Sequence, residues 1–291
     1  MAMYYQWLSR SGIQMESIFK WFFGDYLFNE LKADGFTFNA PSDGTTDLEK
    51  CKLLATELDS VLKQYTMYVN DGCIDRELLQ MSSNPVKFDI IPSFLQTKYI
   101  YPNGNDSANY MHLLFSDQSD LAYTEKTKSE YDNFFKIVES GIINIVDFLE
   151  YQAPTINWLC EKGCIVIDDS GFISLTLEKA YILWDLHNNQ VSCLHYLNRH
   201  SNTLDLMLNS DEIIYESSLF SKPEQSYMNY ILNKAEFSNG YDLRNKYIHG
   251  THSLSPDAHA NDYIELLKIM VLIIIKINEE FCIRDEQKTE E

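Results

Sequence analysis

Positive charge is scarce in this sequence. Its 291 residues hold 23 Lys and Arg against 43 Asp and Glu, a net charge of −20. A protein that grips long nucleic acid carries a basic stripe. None is visible, which argues against an extended nucleic-acid surface but leaves room for a small cleft that touches one or two phosphates. Long apolar runs are also missing. The run Ile269–Ile275 lies between Lys268 and Lys276 and falls far short of the roughly 20 residues a bilayer span needs. It reads as a buried core helix, and no membrane partner is expected. Met1–Arg10 is aromatic and polar without the apolar stretch of a secretory leader. A cytoplasmic protein follows, with Cys51, Cys73, Cys160, Cys164, Cys193 and Cys282 as free thiols. Phosphate-loop, dinucleotide-binding and nucleophile-elbow motifs are all lacking, so nucleotide hydrolysis, dehydrogenase and hydrolase-fold readings have no support.

What is present is a core. Hydrophobic residues make up 45% of the chain and aromatics 13%, which excludes a disordered protein. The aromatic groups near residues 4–28 and 88–101 lack interleaved basic residues and are expected to pack inside. Periodicity predicts a helix over 13–33. After a loop through Ala40, Pro41, Ser42, Asp43 and Gly44, a second helix starts at Thr46, where Glu49 completes a capping box. The stretch 84–106 is broken by Pro85, Pro92, Pro102 and Gly104 and reads as strand or buried loop. A further helix is expected over about 129–151, with Tyr131, Phe134, Phe135, Val138, Ile142, Ile145 and Leu149 on its apolar face.

The pattern then changes. A short helix from Pro154 to Lys162 ends at Gly163. Two β-like runs, Cys164–Ile167 and Phe172–Leu177, flank the turn Asp169-Ser170-Gly171. This order resembles the helix-plus-wing end of a winged helix; a lone β-hairpin packed on helices is the other reading. From Glu178 onward the chain reads helical, in segments near 178–200, 202–217, 223–237 and about 257–282, with a frayed tail from Arg284 to Glu291. A zinc site could be drawn from Cys160, Cys164, His187, Cys193 and His195. The last two are next-but-one neighbours that point to different sides of a helix, so no metal or other cofactor is expected.

Chemistry concentrates in Arg244-Asn245-Lys246-Tyr247-Ile248-His249-Gly250. Cleavage of RNA needs no metal when the ribose 2′-OH attacks the adjacent phosphorus. It needs a group that moves protons, which suits histidine with its unperturbed pKa of about 6.5. It also needs charge on the phosphate oxygens to be held, which suits the planar guanidinium. Asn245 and His249 are i, i+4 and share a helix face, so Asn245 could position phosphate or orient His249. Arg244 and His249 stand roughly 140° apart around an ideal helix, so one copy makes a thin site. His252, three residues past His249, reads as a solvated loop residue or an assistant to it; the first is favoured.

This string resembles the R-x4-H motif of HEPN domains, all-helical domains with many RNA-cleaving members. The Asn after Arg, the Gly after His and the long apolar helix beyond them fit the resemblance, which covers about 178–291. Thr251 stands where some HEPN toxins carry a tyrosine. The resemblance implies a homodimer whose two motifs share one cleft, with RNA as substrate and an antitoxin or regulatory protein as a further partner. The resulting expectation is a mainly α protein: a helical N-terminal module over 1–150, a helix plus wing-like hairpin over 151–177, and a HEPN-like bundle over 178–291. Its function would be metal-independent endoribonucleolytic cleavage in a toxin or anti-phage effector, with Arg244, Asn245 and His249 as catalytic residues. The alternative is a non-catalytic HEPN dimerisation or adaptor protein.

Overall fold

Helix formation begins where the sequence marks it most plainly. In the computed structural model, the helix Asp47–Asp71 starts on Thr46, whose hydroxyl accepts from Glu49 N while Glu49 Oε2 accepts from Thr46 N at 2.9 Å. Caps of this kind satisfy backbone donors that a helix start otherwise leaves open. The structure describes every residue except Asp43, Ser82, Ser83, Ser129, Leu254 and Glu291, and the side chains of all of these but Asn198, Lys288, Thr289 and Glu290. The protein is mainly helical, with a small amount of antiparallel sheet.

The chain divides into two units, and the division differs from the one the sequence suggests. Met1–Gln96 folds together with Ser217–Glu291, and Thr97–Glu216 forms the second unit. The expected boundaries at 150 and 178 are therefore not those of the compact units. Residues 178–216 belong with the hairpin, and the motif's bundle draws on residues near the N-terminus.

The first unit is built on the pairing of Asp47–Asp71 with the C-terminal helix Pro256–Glu290. Leu54, Leu58, Val61, Leu62 and Tyr65 on one meet a core that includes Leu266, Met270, Ile273, Ile277 and Phe281 on the other. The expected helix over 13–33 is present as Met15–Trp21, Phe22–Tyr26 and Leu27–Asn29 in unbroken succession, the middle piece wound as a π-helix. Its aromatic load divides: Phe19, Phe22 and Phe23 are buried, whereas Trp21 and Phe28 are about half exposed. The apolar run Ile269–Ile275 is core for the most part, but Ile275 faces out. The C-terminal tail is not frayed at Arg284. The helix continues to Glu290, and the Arg284 guanidinium stacks 4.6 Å from the Phe281 ring centre. Glu291 and the Asp43 of the expected loop lie outside the described residues.

The second unit holds a three-stranded antiparallel sheet in the order Ser192–Cys193, Tyr99–Pro102, Ile213–Glu216. Tyr99–Pro102 settles part of the ambiguous 84–106 stretch as strand, while Phe88–Ile90 is a 3-10 turn. Strand Ile213–Glu216 replaces the end of the helix expected over 202–217. The hairpin is present as Ile165–Ile167 and Ile173–Leu175, following the helix Ala153–Glu161. The long helix expected over 129–151 is not there. Asn133 caps a short one, Phe134–Glu139, and Gly141, in the left-handed region at φ 71, turns the chain away. Asn144 then bridges to Phe172 beside the hairpin and opens the 3-10 turn Ile145–Asp147. Ser129 lies outside the described residues. Phe134, Ile137, Val138 and Ile143 are still buried, so the apolar positions were real and only the helix joining them was not.

Among the described residues no helix is long and apolar enough to cross a membrane, and no group of three or more His, Cys, Asp or Glu could hold a metal ion. Cys160, Cys164, Cys193 and the other cysteines are free thiols. Burial pushes Cys51 and Cys164 up to about 12, and a thiol reacts as its thiolate. Maleimide at pH 8 is therefore expected to label exposed Cys73 and to spare Cys51 and Cys164 until denaturant is added; equal labelling rates by mass spectrometry would contradict this burial. A second test concerns Glu280, fully buried on the C-terminal helix, which accepts from Tyr65 Oη at 3.2 Å, Ser93 Oγ at 2.8 Å and Phe94 N at 2.8 Å. Glu280→Ala strands these donors and is expected to cost about 2–4 kcal/mol in urea unfolding. Glu280→Gln should cost less, because an amide oxygen still accepts.

Candidate functional site

The motif lies on a helix of its own, Leu243–His249, packed on Asp47–Asp71. Its approach is tight. A Cβ on Gly240 would fall 2.7 Å from Tyr230 O, so only glycine fits where the chain swings back and Tyr241 N donates to that same carbonyl. Asp242 then adopts φ 60, and Gly250 closes the helix at φ 75. Leu243 and Tyr247 point into the core. Rotated away from that core-facing side, Arg244 and Asn245 are left half-buried at its edge.

Arg244 is held from two sides. Its Nε and Nη2 donate to Asp59 Oδ2 at 3.1 and 2.6 Å, and its Nη1 donates to Asn245 Oδ1 at 3.0 Å. Asn245 Nδ2 in turn donates to Asp242 Oδ1 at 2.7 Å. The order Asp59–Arg244–Asn245–Asp242 fixes the guanidinium plane. Of the five N–H groups of an arginine, these contacts use three, one each on Nε, Nη1 and Nη2. One N–H on each terminal nitrogen is left over. Asn245 therefore serves Arg244, and it makes no hydrogen bond to His249 despite sharing its helix face.

His249 stands apart. It is exposed at the end of the helix and makes no hydrogen bond among the described residues. The structure thus brings Arg244 and Asn245 together and leaves His249 outside their network. Arg244, Asn245 and Asp59 border a groove of about 870 Å³ within the first unit. Lys87, Lys222, Lys234 and Arg244 face Asp59, Asp89 and Glu236 across it. Cations outnumber carboxylates there, in a chain whose net charge is −20.

Behind the motif helix sits a cluster of which the sequence signalled the histidines but not their tyrosine and carboxylate partners. Tyr247 Oη donates to Asp262 Oδ2 at 2.8 Å and meets His259 Nδ1 at 2.9 Å. Burial first, then the bond to Asp262, raises the Tyr247 phenol well above its usual range. His252 is not a solvated loop residue: its ring stacks on Tyr247 at 5.5 Å and lies edge-on to His259 at 5.3 Å. The reason is apolar contact, since the loop after Gly250 folds back over the buried tyrosine. Asp59 was missed as well. Its only sequence signal is its place four residues after buried Ala55, on the margin of an apolar stripe, and a separation of 185 positions from Arg244 hides the pairing.

No family model, curated protein or solved structure matches the chain. The likeness to HEPN domains therefore rests on the motif and its setting.

Removing Asp59 tests how firmly the guanidinium is fixed. Asp59→Ala is expected to lower stability by about 2 kcal/mol, because it takes a charge-assisted pair from a mostly buried arginine. Asp59→Asn should retain part of that. Urea midpoints of the two variants that match the parent would show Arg244 held by other means.

Proposed function

We propose that this protein is a metal-independent endoribonuclease of HEPN type, acting as a homodimer. On this reading the ribose 2′-OH attacks the neighbouring phosphorus, Arg244 stabilises the charge that gathers on the phosphate oxygens, and His249 shuttles protons. Asn245 supports the site by orienting Arg244. The observation that carries the proposal is the groove beside Arg244: a fixed guanidinium with N–H groups to spare, among lysines that balance the carboxylates around it on an otherwise acidic chain. Local charge of that kind attracts a phosphate over short range without making the whole surface sticky for RNA.

The separation of His249 from Arg244 favours a composite site. Two copies related by a two-fold axis would place the exposed histidine of one beside the arginine network of the other. We read the first unit as the HEPN-like bundle, and the helix plus hairpin over 151–177 as winged-helix-like. A role as a cytoplasmic toxin or anti-phage effector, restrained by an antitoxin or regulatory protein, belongs to the same proposal and rests on the family likeness alone. The second reading, a non-catalytic dimerisation or adaptor protein, is favoured by the Arg244–Asp59 ion pair, which a purely structural arginine would also make.

RNA cleavage in EDTA separates the two. The parent is expected to cut, and Arg244→Ala and His249→Ala to lose about 10²–10⁴-fold. Mixing the two inactive variants should restore part of the activity if the site is shared across a dimer. A parent that is dimeric, folded and inert on total RNA would move the assignment to the adaptor.

A further inference from the structure

A second groove, about 880 Å³ in volume, lies entirely within the unit 97–216. Helix Phe134–Glu139, strand Ile173–Leu175, helix Leu177–Asn189 and the turn Asn198–His200 border it. Phe135, Phe172, Tyr181 and Trp184 form its walls. Three of these are large aromatics left 41–47% exposed, Phe172 at 47%, Tyr181 at 41% and Trp184 at 46%. Sites of this size and lining, with a few convergent polar groups, are the usual form of small-ligand pockets.

The polar groups are specific. Arg199 Nε donates to His200 Nε2 at 3.0 Å. His200 Nε2 is thus an acceptor, and in the neutral ring the proton sits on Nδ1. That Nδ1 is buried and has no hydrogen-bond partner; Glu178 Oε1, at 3.9 Å, is too far to serve. That donor is closed off from the groove, so the polar side chains open to a ligand are Arg199 and Glu178. Glu178 bonds Thr203 through Oε2, while its Oε1 makes no hydrogen bond among the described residues. Arg199 stacks 5.6 Å from the Tyr181 ring centre and has no carboxylate partner among those residues. The other two charges of the groove, Lys136 and Glu139, neutralise each other at 2.6 Å.

The geometry points to a guanine base as the ligand. The groove suits a flat body for its aromatic walls, acceptors for Arg199, and N–H donors for Glu178 Oε1. Guanine offers O6 and N7 as adjacent acceptors, the pair that arginine reads best, and N1–H with the N2 amine as adjacent donors. Adenine lacks that donor pair, and uracil has a single N–H between two carbonyls. Stacking on aromatic side chains supplies the rest of the affinity. The base could arrive as a free nucleotide or within single-stranded RNA, and the chemistry of recognition is the same. The inference is independent of Arg244 and His249, which lie in the other unit.

Calorimetric titration of the full chain tests it, with GMP, AMP, UMP and a five-nucleotide RNA carrying one guanine as probes. GMP is expected to bind at least tenfold tighter than AMP or UMP. Trp184→Ala should weaken it about tenfold or more, and Glu178→Gln should remove the preference for guanine. Both side chains are about half exposed, so both variants are expected to fold, as thermal melting would verify. Tighter binding of GMP assigns the site to a free nucleotide, and tighter binding of the oligonucleotide to an RNA strand; either supports the inference. No heat with any probe, equal affinity for AMP, or a Trp184→Ala variant that binds as well as the parent overturns it. So does a parent dimer that Trp184→Ala dissociates, which would give the groove to a second copy.

Discussion

Everything in the first unit depends on the seam between Asp47–Asp71 and Pro256–Glu290, two helices from opposite parts of the chain. Their contact buries Leu58, Val61, Leu62 and Tyr65 against Met270, Ile273, Ile277 and Phe281. Burial of this extent is the dominant favourable term in folding. It also brings a difficulty, because Glu280 falls inside the seam. The carboxyl is tolerated there because it is hydrogen-bonded, with Tyr65, Ser93 and the Phe94 amide among its donors. The register of the two helices is thereby tied to polar geometry as well as to shape. A slip along the seam would move the carboxyl off its donors.

The functional consequence runs through Asp59. With the seam fixed, Asp59 meets the helix Leu243–His249, where Arg244 pairs with it. The ion pair is therefore set by the same packing that closes the unit. Tyr247, three positions on and on an adjoining face, anchors the short helix through Asp262 and His259. A helix of seven residues has little intrinsic stability. Here it is clamped on one face by an ion pair and on another by a buried phenol, so the exposed His249 projects from a rigid base.

Local signals in the sequence were legible and long-range ones were not. The Thr46 box, the hairpin around Asp169-Ser170-Gly171 and the motif helix ending at Gly250 all depend on residues within a few positions of one another, and all are where their chemistry places them. The helix expected over 129–151 shows the limit. Its apolar positions are spaced as a helix would space them, yet Gly141 and the Asn144 cap convert the second half into a bridge beside the hairpin. The helix Gly104–Phe115 gives the opposite lesson. It begins on a glycine at φ 69 and Asn103 makes no side-chain cap, so its start signal is weak, Asp106 in the first turn aside. The division into units was hidden for a topological reason. The strands Tyr99–Pro102 and Ile213–Glu216, paired across more than a hundred residues, close the second unit on itself, and nothing local to either strand reports its partner.

The acidity that counts against a nucleic-acid protein can be reconciled with a phosphate site by scale. At physiological ionic strength the screening length is about 8 Å, so a phosphate at Arg244 feels the groove and little of the remote surface. Within that radius the relevant competitor is Asp59 itself. Its carboxylate occupies Nε and one N–H of Nη2, and a phosphate has to bind through the N–H groups that remain. Asp59 therefore lowers the net charge that Arg244 presents while fixing the plane in which its free donors lie. Loss of charge weakens ground-state binding of any anion, whereas a fixed plane rewards an anion whose oxygens match it. A site made this way would hold an anion weakly and discriminate by geometry, which is what the proposed RNA cleavage requires.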